Sequence, residues 1–168
     1  MACDIAPLID GVSFPAAQPL VTAAERTFWE KATAAHVYCL KGEFRGERYA
    51  RHWYDIARLA AVGIARAAIT NRELANRVAE HKQAFFAEKA SDGSVIDYGR
   101  AVSGELRLVP KGDALEALRS DYQEMISSGL FEEEPSSFEA LIDRCHAIEV
   151  EANKQVAAER NPAPQPPG

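Results

Sequence analysis

Arg48, Arg51, Asp55 and Arg58 fall at i, i+3, i+7 and i+10, a spacing that places all four on one face of a helix. Three guanidiniums around one carboxylate, met by Lys31 from a neighbouring helix, could hold a triphosphate. Arginine forks match phosphate oxygens, and lysine adds a mobile point charge. Asp55 would then orient the lysine or assist a proton transfer. The same face also reads as a solvated helix surface, with Asp55 paired to Arg51 four residues before it or Arg58 three after. An exposed pair of that kind contributes only about 0.3–0.5 kcal/mol. Because an acid that follows its base at i+4 is the weaker orientation, helix stability gives little reason for the arrangement.

Other residue types with chemical potential have simpler readings. His81 falls on an apolar helix face, which fits a hydrogen-bonded core histidine, and its neighbour Lys82 reads as solvated. His36 with Cys39, and Cys145 with His146, are isolated pairs, whereas zinc needs four converging ligands; no metal site is assigned. Trp29, Trp53 and Tyr54 recur at helical spacing and are assigned to packing rather than to base stacking. No nucleophile–base pair and no phosphate loop can be read from the chain.

The elements that must position these residues are helices, and the expected fold is mostly α: a bundle of about five helices with an extended N-terminal arm or edge strand. The prolines and glycine of residues 1–20 (Pro7, Gly11, Pro15, Pro19) suit the arm and defeat a helix. The helical domain spans 21–158. Its first helix opens at Thr22 with Glu25 completing a capping box, carries Ala24, Phe28, Ala32, Ala35 and Cys39 as a stripe with Lys31 on its flank, and stops at Gly42. A second, over 49–62, buries Ala50, Trp53, Tyr54, Ala57 and Ala61, and a third, from Thr70 to about Lys89, buries Leu74, Val78, His81 and Phe85. Residues 91–104 read as irregular, and the alternation of Leu106 to Val109 predicts a short strand. Asp113 and Glu116 cap a fourth helix with Leu115, Leu118, Tyr122, Met125 and Ile126 on its face and Gly129 at its end. Ser136 and Glu139 start a fifth, with Phe138, Leu141, Ile142, Cys145, Ile148 and Ala152 inward, and residues 159–168 are expected to be a disordered proline-rich tail.

A chain of 168 residues is one domain's length, and folding at this size hides roughly 70% of the unfolded surface. Its hydrophobic fraction of 47% is ordinary for a globular protein, charge interrupts every apolar run, and the N-terminus lacks a secretory pattern, which together predict a cytoplasmic protein. Three widely spaced cysteines form neither a disulfide framework nor a zinc pattern. A net charge of −6 opposes nucleic acid on average, although it does not exclude a local basic strip.

The segment ERTFWEKATAA, from Glu25 through Lys31 to Ala35, followed by Arg45, Arg48 and RHWYDIARL from Arg51 through Asp55, resembles the AbiEii/AbiGii nucleotidyltransferase toxins. Their pattern is a glutamate–lysine helix, an arginine, then R-[DH]-x-x-D-L. His81-Lys82 with Phe85-Phe86, the stretch from Leu118 through Asp121 and Tyr122 to Met125, Phe138, and Ile148-Glu149 with Asn153 are similar, in the same order, to that family's C-terminal signature. The resemblance covers roughly residues 20–155. It implies a polymerase-beta-like transferase of a type IV toxin–antitoxin or abortive-infection system that moves nucleotides to an RNA, with tRNA as the expected acceptor. It further implies Mg2+ and a nucleoside triphosphate, an antitoxin partner, phosphate contact by Lys31, and a motif aspartate at Asp55.

The family's catalytic metal is held by a Gly-Ser or Gly-Gly-Thr turn followed by Asp-x-Asp, and this sequence has neither. Asp4 and Asp10 are too far apart to substitute, and Gly93-Ser94 with Asp97 lacks the spacing. The expectation is therefore the C-terminal helical half, inactive alone, with residues 1–20 the last edge of a missing sheet. It would be either a truncated chain or the partner of a separate catalytic domain. The alternative is a non-enzymatic helical interaction module, which the acidic balance and proline-rich tail favour.

Overall fold

The computed structural model describes residues 21–42, 48–129 and 135–161. Among these the fold is all helical: α1 (Ala24–Lys41), α2 (Ala50–Ala61), α3 (Ile64–Thr70), α4 (Arg72–Phe85), α5 (Tyr98–Val102), α6 (Asp113–Ser127) and α7 (Phe138–Arg160), with one isolated antiparallel bridge between Lys89 and Val95. The mostly α expectation holds. The expected arm at 1–20 and the tail beyond 161 lie outside the described residues.

α1 is the central element. Phe28, Trp29, Ala32, Thr33, Ala35, His36 and Val37 are all buried, a wider arc than the single predicted stripe, because α2, α3, α4 and α5 each pack against it. Burial of so broad an arc obliges its polar groups to find partners. Trp29 Nε1 donates to the Ala68 carbonyl of α3 at 2.9 Å, and Thr33 Oγ1 donates to the Trp29 carbonyl at 2.7 Å. Gly42 ends the helix at φ 67°, as predicted, since that left-handed turn costs a residue with a Cβ more than glycine. Its start differs: Ala23 occupies the N-cap without a side-chain bond, so Thr22 and Glu25 do not form the expected capping box.

Two helices were not anticipated. Gly63, at φ 81°, breaks the chain after α2 and lets α3 begin. Asn71 then serves both neighbours, its amide donating back to the Ala67 and Ala68 carbonyls of α3 while its side chain accepts from Leu74 N of α4. Thr70, the predicted cap, instead turns its hydroxyl back to the Arg66 and Ala67 carbonyls. The short α5 begins where Asp97 accepts from Gly99 N, inside the stretch expected to be irregular.

α4 buries Ala75, Val78 and Ala79, and this corrects two assignments: His81 and Phe85 face outward. Alanines at 75 and 79 let the helix approach its neighbours closely, and that contact, not the larger aromatic residues one turn on, sets which face goes in. α6 and α7 bury Leu118, Tyr122, Met125, Phe138, Leu141, Cys145, Ile148 and Ala152 as the periodicity predicts. Their caps shift, to Gly112 without a side-chain bond and to Ser137, whose hydroxyl accepts from Ala140 N.

Residues 106–109 alternate as read, with Leu106 and Leu108 buried, but pair with no strand. Helix side chains take the place of a sheet partner. Asn153 of α7 accepts from Leu106 N and donates to its carbonyl, Glu149 accepts from Leu108 N and Val109 N, His36 Nδ1 accepts from Arg107 N, and Trp53 Nε1 donates to the Leu108 carbonyl. Burial lowers the His36 pKa to about 4, with Arg107 and Arg100 adding to the effect, so its ring stays neutral and able to accept.

Candidate functional site

Helices α1 and α2 lie side by side, and their seam carries the residues with chemical potential. Lys31 sits on the half-open edge of α1, beside the buried Ala32 and Ala35, and Asp55 occupies the solvent-flanking side of α2 opposite the buried Trp53 and Ile56. Lys31 Nζ stands 2.7 Å from Asp55 Oδ2, with the two side chains 24% and 38% exposed. The predicted convergence of lysine and aspartate is therefore present as geometry.

The arginines divide. Arg48 is not on the helix, because α2 starts at Ala50; its backbone takes φ 66°, and its amide donates to Asp121 Oδ1 at 2.7 Å. The expected four-residue helical face is thus corrected to three. Asp121 of α6 also accepts from Ala50 N at 2.6 Å, so one carboxylate closes the positive end of α2 through both of its oxygens. Arg51 projects exposed from the first turn of α2. Arg58 borders a separate groove of about 240 Å3 with Tyr54, Ser136 and Arg144, on the side of α2 that meets the start of α7. Arg45 lies outside the described residues.

Three further side chains belong to the seam. His52, one turn before Asp55, has a buried Nδ1 with no hydrogen-bond partner. Burial depresses its pKa to about 4, helped by the positive charges of Lys31 and Arg51 against the opposing Asp55, so the ring is neutral. Lys82 of α4, read from the sequence as solvated, instead lies half-buried with its ammonium 4.6 Å from the centre of the Phe86 ring. Burial lowers its pKa, opposed by Glu30 and reinforced by Arg26 and Lys31. Arg26 and Glu30 pair with each other at 2.9 Å. His52 was legible as the residue after Arg51, three before Asp55; the half-burial of Lys82 follows from packing that periodicity does not report.

Further along, Tyr38 of α1 stacks on His52, with centroids 5.9 Å apart and planes at 28°, and meets Tyr49 edge to face at 4.4 Å. His81 rests against Phe85 at 4.9 Å, on the exposed side of α4. Trp29 and Trp53 are core residues, as predicted, each with its indole N–H satisfied by a backbone carbonyl.

Magnesium held against a triphosphate asks for two or more carboxylates on one spot. Among the described residues no three His, Cys, Asp or Glu side chains converge, and the Asp55 carboxylate is engaged by Lys31. Asp4 and Asp10 lie outside the described residues. No described helix is long and apolar enough to cross a membrane.

A family model described as nucleotidyl transferase AbiEii toxin, type IV TA system, matches residues 2–144. No curated protein and no solved structure matches the chain.

Proposed function

The chain belongs to the AbiEii nucleotidyl transferase toxin family, and from that premise we propose that the α1–α2 seam is the phosphate-binding face of a nucleotide site. Lys31 meets the triphosphate, Asp55 holds the lysine in place before the nucleotide arrives, and Arg51, with Arg48 and Arg58 to either side, extends the positive field. The substrates in this reading are a magnesium–nucleoside triphosphate and an RNA acceptor, with tRNA first among candidates, and the protein partner is an antitoxin. Carboxylates for the magnesium come from a separate catalytic domain, without which these helices bind and do not transfer.

The observation that carries the reading is the Lys31–Asp55 pair, closed at 2.7 Å across two helices yet open to solvent. A pair so exposed contributes at most about 1 kcal/mol to stability, too little to account for placing a lysine at the edge of the core.

Calorimetric titration of the chain with magnesium and each of the four nucleoside triphosphates tests this, beside a Lys31→Ala, Asp55→Ala double variant verified as folded. Binding that falls at least about tenfold in the variant, a difference of 1.4 kcal/mol, is the expected result. Equal binding by both proteins, or none at millimolar nucleotide, removes the reading. A second reading, a helical interaction module without catalysis, draws on the exposure of Phe85 and Phe86 (73% and 52%) next to His81. It is favoured if nucleotides fail to bind while His81→Ser, Phe85→Ser and Phe86→Ser variants lose capture of the antitoxin.

A further inference from the structure

Two turns along α1 from the phosphate face lies a cavity of about 580 Å3 bounded by Tyr38 and Lys41 of α1, Tyr49 at the start of α2, and the chain from Ala87 to Ser91. We propose that this cavity is the nucleobase subsite for the nucleotide whose triphosphate meets Lys31, and that Tyr49, backed by Tyr38, is its stacking wall. The proposal rests on the phosphate-binding reading of Lys31 and Asp55.

Position is the first argument. Tyr38 lies seven residues beyond Lys31 on α1, two helical turns and about 10 Å along the axis at 1.5 Å per residue. On α2 the order is reversed, with Tyr49 six residues before Asp55, so the aromatic pair and the ion pair are two contacts at different heights between the same two helices. His52 links them, stacked on Tyr38 while lying within the fields of Lys31 and Asp55. On the opposite wall Lys82 covers Phe86, and the cavity lining begins at the next residue, Ala87. The triphosphate of a nucleotide separates its charged end from its base by a comparable reach.

Chemistry is the second. Tyr38 is already stacked on His52 and on Trp53 (centroids 6.1 Å apart, planes at 24°), so the ring left to a base is Tyr49, which stands edge to face against Tyr38 at 4.4 Å and 71°; stacking on one tyrosine accepts purines and pyrimidines alike. Burial, with Tyr49 adjacent, pushes the Tyr38 hydroxyl up to about 12, so the wall stays uncharged. At the rim Lys41 Nζ and Glu88 Oε2, paired at 2.9 Å, supply a donor and an acceptor for the polar edge of a base. The volume falls within the range of small-ligand sites, and Lys41, Glu88 and Lys89 make the lining about as polar as it is apolar.

The test compares calorimetric affinities of the full chain, with magnesium, for ATP, for inorganic tripolyphosphate and for adenosine, in the wild type and in Tyr49→Leu, Tyr49→Phe and Lys31→Ala. The expected pattern is ATP bound about tenfold tighter than tripolyphosphate by the wild type and by Tyr49→Phe. In Tyr49→Leu that preference falls to within twofold while tripolyphosphate affinity is unchanged. Saturation transfer from aromatic protein protons to the base protons of ATP gives a second readout, lost in Tyr49→Leu and kept in Tyr49→Phe. Equal wild-type affinity for ATP and tripolyphosphate overturns the proposal while leaving the phosphate face intact. So does adenosine that binds beside tripolyphosphate with no gain from joining the two in ATP, since the base bound there would belong to another nucleotide, such as the end of an RNA. Nucleotide affinity unaffected by Lys31→Ala overturns the phosphate reading itself, and this proposal with it.

Discussion

Asp121→Ala isolates the contact that fixes where α2 begins and therefore how Asp55 is presented. The carboxylate accepts from Arg48 N at 2.7 Å and from Ala50 N at 2.6 Å, two charge-assisted bonds at the positive end of a helix. Each such bond is worth about 1.5–3 kcal/mol when neither partner can be replaced by water. Arg48 is exposed, so water substitutes at its amide after the mutation, whereas Ala50 is buried and its amide is left without a partner. One bond lost in full and one recovered in part give a cost of about 2 kcal/mol, at the upper end of what deleting a helix cap costs. For a chain of this length that lowers the melting temperature by about 4–8 °C. Asp121→Asn keeps one acceptor oxygen but turns an amide N–H2 toward the second donor, and is expected to lose about half as much. Thermal and urea unfolding measure both, and hydrogen exchange should accelerate first at the amides of the opening turn of α2. A loss below about 0.5 kcal/mol for Asp121→Ala, or an Asn variant as stable as the wild type, would refute the capping argument.

Arg48 holds φ 66°, a conformation that costs a residue with a Cβ about 1–2 kcal/mol, so Arg48→Gly should leave the urea midpoint unchanged or raise it, while the β-branched Arg48→Val lowers it. His36 is kept neutral by burial, with a folded pKa of about 4 against 6.5 unfolded. As pH falls below 6.5 the unfolded chain takes up the proton first, so stability declines between about 6.5 and 4 and levels off below, by on the order of 3 kcal/mol. His52, held near 4 as well, titrates over the same range, so His36→Asn, which keeps an acceptor for Arg107 N and cannot titrate there, should remove about half of the slope of a stability–pH curve between 6.5 and 4; an unchanged slope would count against it. Glu149→Ala strands the Leu108 and Val109 amides and should cost about 2–3 kcal/mol in denaturant unfolding, while Glu149→Gln, which keeps an acceptor oxygen, should cost less than half of that.

What the sequence made legible was whatever repeats over several turns. The apolar positions of α7 recur across 23 residues, and those of α1 across 18, long enough for a 3.6-residue period to stand out. α3 and α5, with seven and five residues, are too short to show one, and both are fixed by single capping residues, Asn71 and Asp97, together with tertiary contacts. α4 was placed but rotated, because hydropathy ranks Phe85 above Ala79 whereas close packing rewards the smaller side chain. At the seam, Lys31 and Asp55 were visible as a motif, and their meeting follows once α1 and α2 pack side by side. Arg48 was misplaced for a local reason. The spacing from 48 to 58 fits a helix, but Asp121, distant in sequence, accepts from the Arg48 and Ala50 amides and starts α2 at Ala50, leaving Arg48 in a left-handed turn.

The same device recurs in the core, where Glu149, Asn153 and His36 supply to residues 106–108 the bonds a neighbouring strand would otherwise make. Period-two alternation reports which residues of an extended segment are buried; it carries no information on whether backbone or side chains satisfy the amides. In this chain the polar residues within helices, not the pattern of the extended segment, decide that it lies among helices and not in a sheet. Trp53 ties this segment to α2, since its indole donates to the Leu108 carbonyl from the helix that carries His52 and Asp55. Loosening residues 106–108 should therefore be felt at the seam, and under the proposed function the Glu149→Ala variant should weaken calorimetric binding of nucleoside triphosphates even though Glu149 lies outside the proposed site.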